Sequence, residues 1–168
     1  DKKYEFYYWF RVKKEAQIII KDKGYDEGIN YLSLKFSKIK NPNVKMVFDI
    51  ANFYKNSKNY EKAIEYYTEI ISSLDDNSEI KSDLLYRRGG SYERLGNFQK
   101  ADEDLKYSLR INPDDAYVLN YLAYSWLERK YKIDEAMRML EKAYALRSND
   151  PYITDSIGWA YYLIENYT

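Results

Sequence analysis

Residues 82–115 of this 168-residue chain read SDLLYRRGGSYERLGNFQKADEDLKYSLRINPDD. Gly89 is followed three residues later by Tyr92, and Ala101 is followed four residues later by Leu105. Side chains three or four positions apart lie on one face of a helix, so the stretch predicts two helices that pack against each other. It ends in a polar turn, residues 112–115, in which Asp114 or Asp115 is a natural N-cap for the next helix.

The same arrangement recurs along the whole chain. Five repeats begin at spacings of 35, 38, 34 and 35 residues, at Trp9, Val44, Ser82, Ala116 and Pro151. The eighth position of each is small and a bulky residue follows three positions later, in the pairs Ala16–Ile19, Ala51–Tyr54, Gly89–Tyr92, Ala123–Trp126 and Gly158–Tyr161. The second helix repeats a small residue before a large one, in Gly28–Leu32, Ala63–Tyr67, Ala101–Leu105 and Ala136–Leu140. Small residues let helices approach and large ones fill the adjoining gap, so these positions are the predicted core.

This pattern resembles the tetratricopeptide repeat family, whose motif places Leu-Gly-x-x-Tyr in one helix and Ala-x-x-x-Phe in the next. The best copy, residues 82–115, departs from the motif at Arg88, where Leu is preferred. The resemblance implies an all-α, right-handed superhelical solenoid of antiparallel helix pairs with about four and a half repeats. We expect one domain over residues 1–168, with repeats 9–43, 44–81, 82–115 and 116–150 and a partial repeat 151–168, cut from a longer protein.

Composition narrows the functional classes. The chain has 27 basic and 27 acidic residues, no Cys and no His, and only three Pro and six Gly. The absent residue types remove thiolate and imidazole chemistry, and balanced charge argues against nucleic acid as a partner. No apolar run is long enough to enter a bilayer directly, and no motif indicates a cofactor or metal. Acid pairs at 75–76, 102–104 and 114–115 are best interpreted as caps or ion pairs, so we expect no enzyme.

The resemblance implies that the first helices of successive repeats line a concave groove that binds an extended peptide or a partner helix. Aromatic residues dominate its later part. Such residues are favoured in binding sites, because flat rings with a polar tip bury much area at small entropic cost. Amide and guanidinium groups could hydrogen-bond a peptide. The candidate partner-binding residues are Asn52, Tyr86, Arg87, Tyr117, Asn120, Tyr121, Tyr124, Tyr152, Trp159 and Tyr162.

Family members that bind chaperones grip a C-terminal carboxylate with Lys and Asn on the first helix, Asn on the second, and Lys and Arg on the third. Lys13 and Arg87 match this clamp. Asp49 and Asp83 stand at two of the other places and would repel a carboxylate, so we expect the clamp to be absent. We expect an apolar or aromatic segment in the later groove, with an acidic end toward the early lysines.

The most favoured function is thus a non-enzymatic scaffold that binds a protein or peptide. One alternative is a structural module whose uncapped ends mediate homo-oligomerisation or pack within a longer parent. Another is that the 21 Tyr reflect AT-rich codons rather than binding. Residues 114–162 look similar to long bacterial repeat proteins, some of them envelope lipoproteins, which leaves the cytoplasm and the bacterial periplasm both open.

Overall fold

The computed structural model describes residues 2–165. These residues form nine α-helices and no strand. The helices are α1 (Lys2–Lys23), α2 (Tyr25–Phe36), α3 (Val44–Asn56), α4 (Tyr60–Ser72), α5 (Glu79–Arg94), α6 (Phe98–Ile111), α7 (Ala116–Glu128), α8 (Ile133–Leu146) and α9 (Pro151–Glu165). The all-α prediction is confirmed. The last three residues of the predicted partial repeat, 166–168, lie outside the described part. No helix in that part is both long and apolar enough to cross a membrane.

Side-chain caps fix where several helices begin. The side chain of Asn43 accepts a hydrogen bond from the N–H of Met46 at 3.0 Å, at the start of α3. Asp115 accepts from the N–H groups of Tyr117 and Val118 at 3.0 and 3.2 Å, at the start of α7. These bonds satisfy donors that have no partner within the helix. The prediction of an N-cap at Asp114 or Asp115 is confirmed for Asp115.

Three helices end in the same turn. Lys58, Gly96 and Lys130 follow α3, α5 and α7 with φ values of 64°, 72° and 53°. In each case the next residue donates its N–H to the carbonyl five positions back at 2.9 Å, in the pairs Asn59–Tyr54, Asn97–Tyr92 and Tyr131–Trp126. This is the Schellman geometry, which needs a left-handed residue to reverse the chain. The repeated turn carries the chain from a first helix into the second helix of its pair.

The chain divides into two compact units. Unit I comprises residues 1–74 and 90–97, and unit II comprises residues 75–89 and 98–168. In unit I, α1 packs on α2, α2 on α3 and α3 on α4. Its core contains Trp9, Val12, Ala16, Leu32, Met46 and Ile50, all buried. Edge-to-face contacts of Trp9 with Phe36 and of Phe36 with Tyr66 extend this core.

Unit II is built on α6, α7, α8, α9 and the first part of α5. Its helix α7 packs against α6, α8 and α9, which leaves Trp126 with none of its surface exposed. Leu105, Leu122 and Leu140 surround Trp126 in one buried cluster. A second cluster joins Ala116 and Leu119 to Ala143 and Ile153 and holds the start of α9 in place.

The small residues predicted to let helices approach do so in the complete helix pairs. Ala16, Ala51 and Ala123 are fully buried, and so are Ala63 and Ala136 in the second helices. At Gly89, a Cβ atom would lie 3.0 Å from Leu105 Cγ and 3.3 Å from the carbonyl oxygen of Ala101. A side chain at this position would therefore press on α6, and glycine gives the closest approach of α5 to α6.

In α9, which the sequence presents as the first helix of a partial repeat, the small and bulky positions are not packed as they are in the complete helix pairs. A Cβ atom at Gly158 would meet nothing within 4 Å, and Tyr161, the bulky residue three positions later, is 49% exposed. The reason is that, among the described residues, no second helix follows α9 to cover that side. Sequence periodicity identifies the face that packing would use, but it does not show whether a helix is there to use it.

The departure of Arg88 from the repeat motif has a physical explanation. Its Nε and Nη2 donate to the two carboxylate oxygens of Asp104 on α6, both at 2.7 Å. Ser82 and Ser108, also between α5 and α6, exchange hydrogen bonds within the same interface. Unit II thus joins this helix pair through buried polar partners as well as through Gly89.

Candidate aromatic binding face

Helices α7 and α9 lie side by side and run in the same direction. Near their starts, the Tyr117 hydroxyl donates to Asp150 at 2.9 Å, and near their ends, Trp159 Nε1 donates to Glu128 at 3.0 Å. These helices carry six of the aromatic candidates predicted from the sequence. We call this set the aromatic face: Tyr117, Tyr121, Tyr124, Tyr152, Trp159 and Tyr162.

The later half of the aromatic face is a cluster around Glu128. The Trp159 and Tyr162 rings stack with centroids 5.4 Å apart and an interplanar angle of 23°. Burial, the charge of Glu128 and a hydrogen bond to it all raise the pKa of Tyr124. One carboxylate therefore connects Tyr124 on α7 to Trp159 on α9. Tyr124, Trp159 and Tyr162 nevertheless remain 38%, 39% and 58% exposed.

The earlier half is organised by Asp150, the N-cap of α9. Its carboxylate accepts from the backbone N–H of Tyr152 at 3.0 Å and from the Tyr117 hydroxyl. The bond to Asp150 raises the pKa of Tyr117, whereas the hydrogen bonds that Asp150 accepts lower its own pKa against the opposing effect of desolvation. The guanidinium of Arg147 lies 5.0 Å from the centroid of the Tyr117 ring. Tyr152 itself is 77% exposed.

Two of the predicted aromatics take part in packing. Tyr86 and Tyr121 meet edge to face with centroids 5.7 Å apart, and both are half-buried against the core of unit II. Burial raises the pKa of Tyr86. Nearby, the side-chain oxygen of Asn120 is buried without a hydrogen-bond partner among the described residues. These residues support the aromatic face from beneath more than they offer surface.

Arg87 and Asn52 complete the predicted set. Arg87 pairs with Asp83 one turn away on α5, at 2.8 Å. Asn52 lies in unit I, where its side chain accepts a hydrogen bond from the Tyr67 hydroxyl at 2.7 Å. It lines an open cleft of about 360 Å³ together with Lys13, Gln17 and Asn56. Nine of the ten predicted residues thus belong to unit II, and Asn52 belongs to unit I.

Charge is the feature of the aromatic face to which the sequence analysis assigned no role. The 13 residues of α7 and the 15 residues of α9 include no Lys or Arg, although the chain holds 27 such residues. Glu128 and Asp155 lie on these helices, and both influence Tyr124. Among the described residues neither forms an ion pair. The absence of basic residues from 116–128 and 151–165 is visible in the sequence and could have predicted the acidic character of α7 and α9.

The acid pairs 102–104 and 114–115, which were considered for catalysis, serve structural roles elsewhere in unit II. Asp102 pairs with Arg129 and Asp104 with Arg88, each at 2.7 Å. Asp114 pairs with Lys142 at 2.8 Å, and Asp115 caps α7. Within residues 2–165, no group of three acidic side chains is placed to hold a metal ion.

Family models match two stretches of the chain. A tetratricopeptide repeat model matches residues 82–115 and a second tetratricopeptide repeat model matches residues 44–73. The first match coincides with the stretch whose spacing predicts a helix pair, and its helices α5 and α6 pack through Gly89. Both matches identify tetratricopeptide repeats, which supports the family resemblance drawn from the sequence.

A curated relative and two solved structures extend this comparison. The chain is 26% identical over 149 residues to the TPR repeat-containing protein PA4667 of Pseudomonas aeruginosa, covering 89% of this chain and 25% of that protein. The crystal structure of a tetratricopeptide repeat protein from Parabacteroides merdae matches with a TM-score of 0.72 at 16% identity, over 95% of this chain and 61% of that one. The first TPR of Spaghetti (RPAP3) bound to the HSP90 peptide SRMEEVD matches with a TM-score of 0.63 at 20% identity, over 73% and 93%. The chain thus spans about a quarter of the relative, and the two structures support the fold.

Proposed function

We propose that this chain is a non-enzymatic scaffold that binds a peptide or helix of a partner protein on the aromatic face. The observation that carries this proposal is the exposure of Tyr124, Trp159 and Tyr162 in one connected cluster across α7 and α9. Large exposed aromatics that share a surface are typical of binding sites, because they desolvate readily and lose little side-chain entropy. That a similar tetratricopeptide structure holds a peptide supports a protein segment as the ligand.

The same observation weakens the explanation by codon bias. Codon bias would scatter tyrosines over the surface, whereas here a tryptophan and two tyrosines of different helices are linked by a stack and by a shared carboxylate. The non-enzymatic part of the proposal rests on the carboxylates: those of the pairs 102–104 and 114–115 are occupied by ion pairs and a helix cap, and Asp76 pairs with Lys81.

Alanine substitutions test this proposal with a matched control. Trp159→Ala and Tyr124→Ala should each weaken binding of the partner by about tenfold or more, as expected for aromatic anchors at an interface. Tyr144→Ala removes a tyrosine of similar exposure from α8 and should leave binding unchanged. Isothermal titration calorimetry of the full-length protein with its partner measures both. Equal affinity for all three variants and the parent would refute the proposal.

A second candidate function is self-association through the uncovered side of α9. Tyr161 is exposed there, and an open cavity of about 430 Å³ is lined by Leu127, Ile133, Leu163 and Ile164. This surface would suit a helix of a second copy or of the parent protein. Light scattering across a concentration series tests it: dimers that disappear in Tyr161→Lys would favour self-association, whereas a monomer at every concentration would exclude it.

A further inference from the structure

We infer that the segment bound on the aromatic face is cationic, with Arg or Lys side chains set among apolar ones. This inference deepens the proposed function and rests on it. It reverses the expectation, drawn from the early lysines, that the ligand has an acidic end. Three observations carry it: the charge of α7 and α9, the rings of Tyr124 and Trp159, over which no Lys or Arg of the described residues lies, and the pairing of Lys13 and Arg87, two cations that could hold an acidic ligand.

The charged side chains that α7 and α9 themselves supply have one sign. Glu128 and Asp155 are supplied by α7 and α9, and neither helix contains a Lys or Arg. In the part of the chain that the structure describes, no ion pair neutralises these two carboxylates. An apolar surface that surrounds unpaired carboxylates attracts a cation and repels an anion, both on approach and in the complex.

The rings themselves offer positions for a cation. Unit II already places its own guanidinium groups over exposed rings: Arg129 lies 4.6 Å from the Phe98 centroid, and Arg147 lies 5.0 Å from the centroid of Tyr117 in the earlier half of the aromatic face. Among the described residues, no Lys or Arg lies over Tyr124 or Trp159. A guanidinium or ammonium group on these rings would gain the same attraction and would also meet Glu128.

Two of the cations that could hold an acidic ligand, Lys13 and Arg87, are already paired. In unit I, Lys13 contacts Asp49 at 2.6 Å, and the same carboxylate accepts a hydrogen bond from Trp9 Nε1 at 2.9 Å. In unit II, Arg87 contacts Asp83. An acidic peptide would have to compete with these internal carboxylates, whereas a cationic segment on α7 and α9 displaces no ion pair.

Selection from a displayed library of random peptides of about 16 residues tests the inference, because such peptides are long enough to lie along a groove. The immobilised full chain is the bait, and binding of the enriched peptides is then measured by fluorescence anisotropy. The charge variant is Glu128→Gln combined with Asp155→Asn. Glutamine can still accept the hydrogen bond from Trp159, so this variant removes charge and keeps shape. Glu103→Gln removes an exposed carboxylate from α6 and serves as the control.

We expect the enriched peptides to carry net positive charge and to bind the charge variant about tenfold more weakly, with Glu103→Gln unchanged. Raising the salt concentration from about 50 mM to about 300 mM should reduce the difference in peptide affinity between the parent and the charge variant, since salt screens exposed charges. Enriched peptides that are neutral or acidic, or that bind the charge variant as tightly as the parent, would overturn the inference. If those peptides still lose binding in Trp159→Ala, the aromatic face remains the binding site and only the charge assignment fails. If no enriched peptide depends on Trp159, the proposed function fails as well.

Discussion

At the scale of single residues, one backbone conformation closes three helices, with one consequence for stability at a glycine and another at two lysines. Gly96 adopts a positive φ without a steric penalty, whereas Lys58 and Lys130 place a Cβ atom in the same left-handed region. For an L-residue this conformation costs of the order of 1 kcal/mol. The hydrogen bond from the following N–H, at 2.9 Å in each turn, holds all three in place.

Glycine should therefore be favoured at Lys58. We expect Lys58→Gly to raise the free energy of unfolding by about 0.5–1 kcal/mol, because relief of the left-handed strain outweighs the extra entropy of the unfolded chain. Gly96→Ala should lower the free energy of unfolding by a similar amount. Urea denaturation followed by circular dichroism measures both. A destabilised Lys58→Gly would contradict this account of the turn.

The pair Arg88–Asp104 should show strong coupling. Both side chains are largely buried, at 16% and 9% exposed, so Asp104→Ala leaves a poorly solvated guanidinium and should cost about 2–4 kcal/mol. Arg88→Leu combined with Asp104→Ala should cost about 1 kcal/mol, because an apolar pair replaces the ion pair with no charge left alone. Additive costs in this double-mutant cycle would show that the two residues act independently.

At the scale of helices, the repeat of small and large residues predicts packing wherever a partner helix is present. Ala16, Ala51 and Ala123 are buried as predicted, and a Cβ atom at Gly89 would make tight contacts of 3.0–3.3 Å with α6. Gly158 holds the corresponding position in α9 but faces open space. The repeat pattern thus predicts that a small residue stands at this position, whereas the contribution of that residue to stability depends on whether another helix packs against it.

Alanine should have opposite effects at these two glycines. Gly158→Ala should stabilise the protein by up to about 1 kcal/mol, since it improves helix propensity and meets no other atom. Gly89→Ala should destabilise it by about 1 kcal/mol, because the added methyl presses on a backbone carbonyl and on Leu105 and Asp104. Thermal unfolding of both variants makes the comparison. Stabilisation by both would mean that α5 and α6 can separate at little cost.

The candidate site was less predictable than the helices. Register along α7 and α9 predicted that Tyr124 and Trp159 share a face, since residues at equivalent repeat positions line up. It could not predict that Tyr86 and Tyr121 are half-buried against one another, because that depends on rotamers set by the surrounding core. The ion pairs Lys13–Asp49 and Arg87–Asp83 also escaped prediction, and with them the electrostatic character of the surface.

At the scale of the whole molecule, its many tyrosines make stability sensitive to alkaline pH. A hydrogen bond to Glu15, followed by burial, raises the pKa of Tyr31 to about 12. Burial raises the pKa of Tyr66 and of Tyr86. In the unfolded chain a phenol titrates near pH 10. These groups therefore contribute stability that is complete below about pH 10 and is lost as the pH rises through their higher folded-state values.

We expect the free energy of unfolding to fall between about pH 10 and 12, and to fall less steeply in Tyr31→Phe. Carbon-13 spectra of ring-labelled tyrosine should show the Tyr31 phenol titrating near pH 12. Glu15→Gln should return it toward 10, since the amide bears no charge to oppose phenolate formation. A Tyr31 that titrates near 10 in the parent would contradict the contact with Glu15.

Hydrogen–deuterium exchange of the chain, with and without a bound peptide selected for affinity, tests the central claim most directly. If the aromatic face of unit II is the binding surface, exchange should slow in residues 116–128 and 151–165, while α8 on their other side changes little. Protection confined to residues 129–146, with exchange in 116–128 and 151–165 unchanged, would contradict binding on the aromatic face.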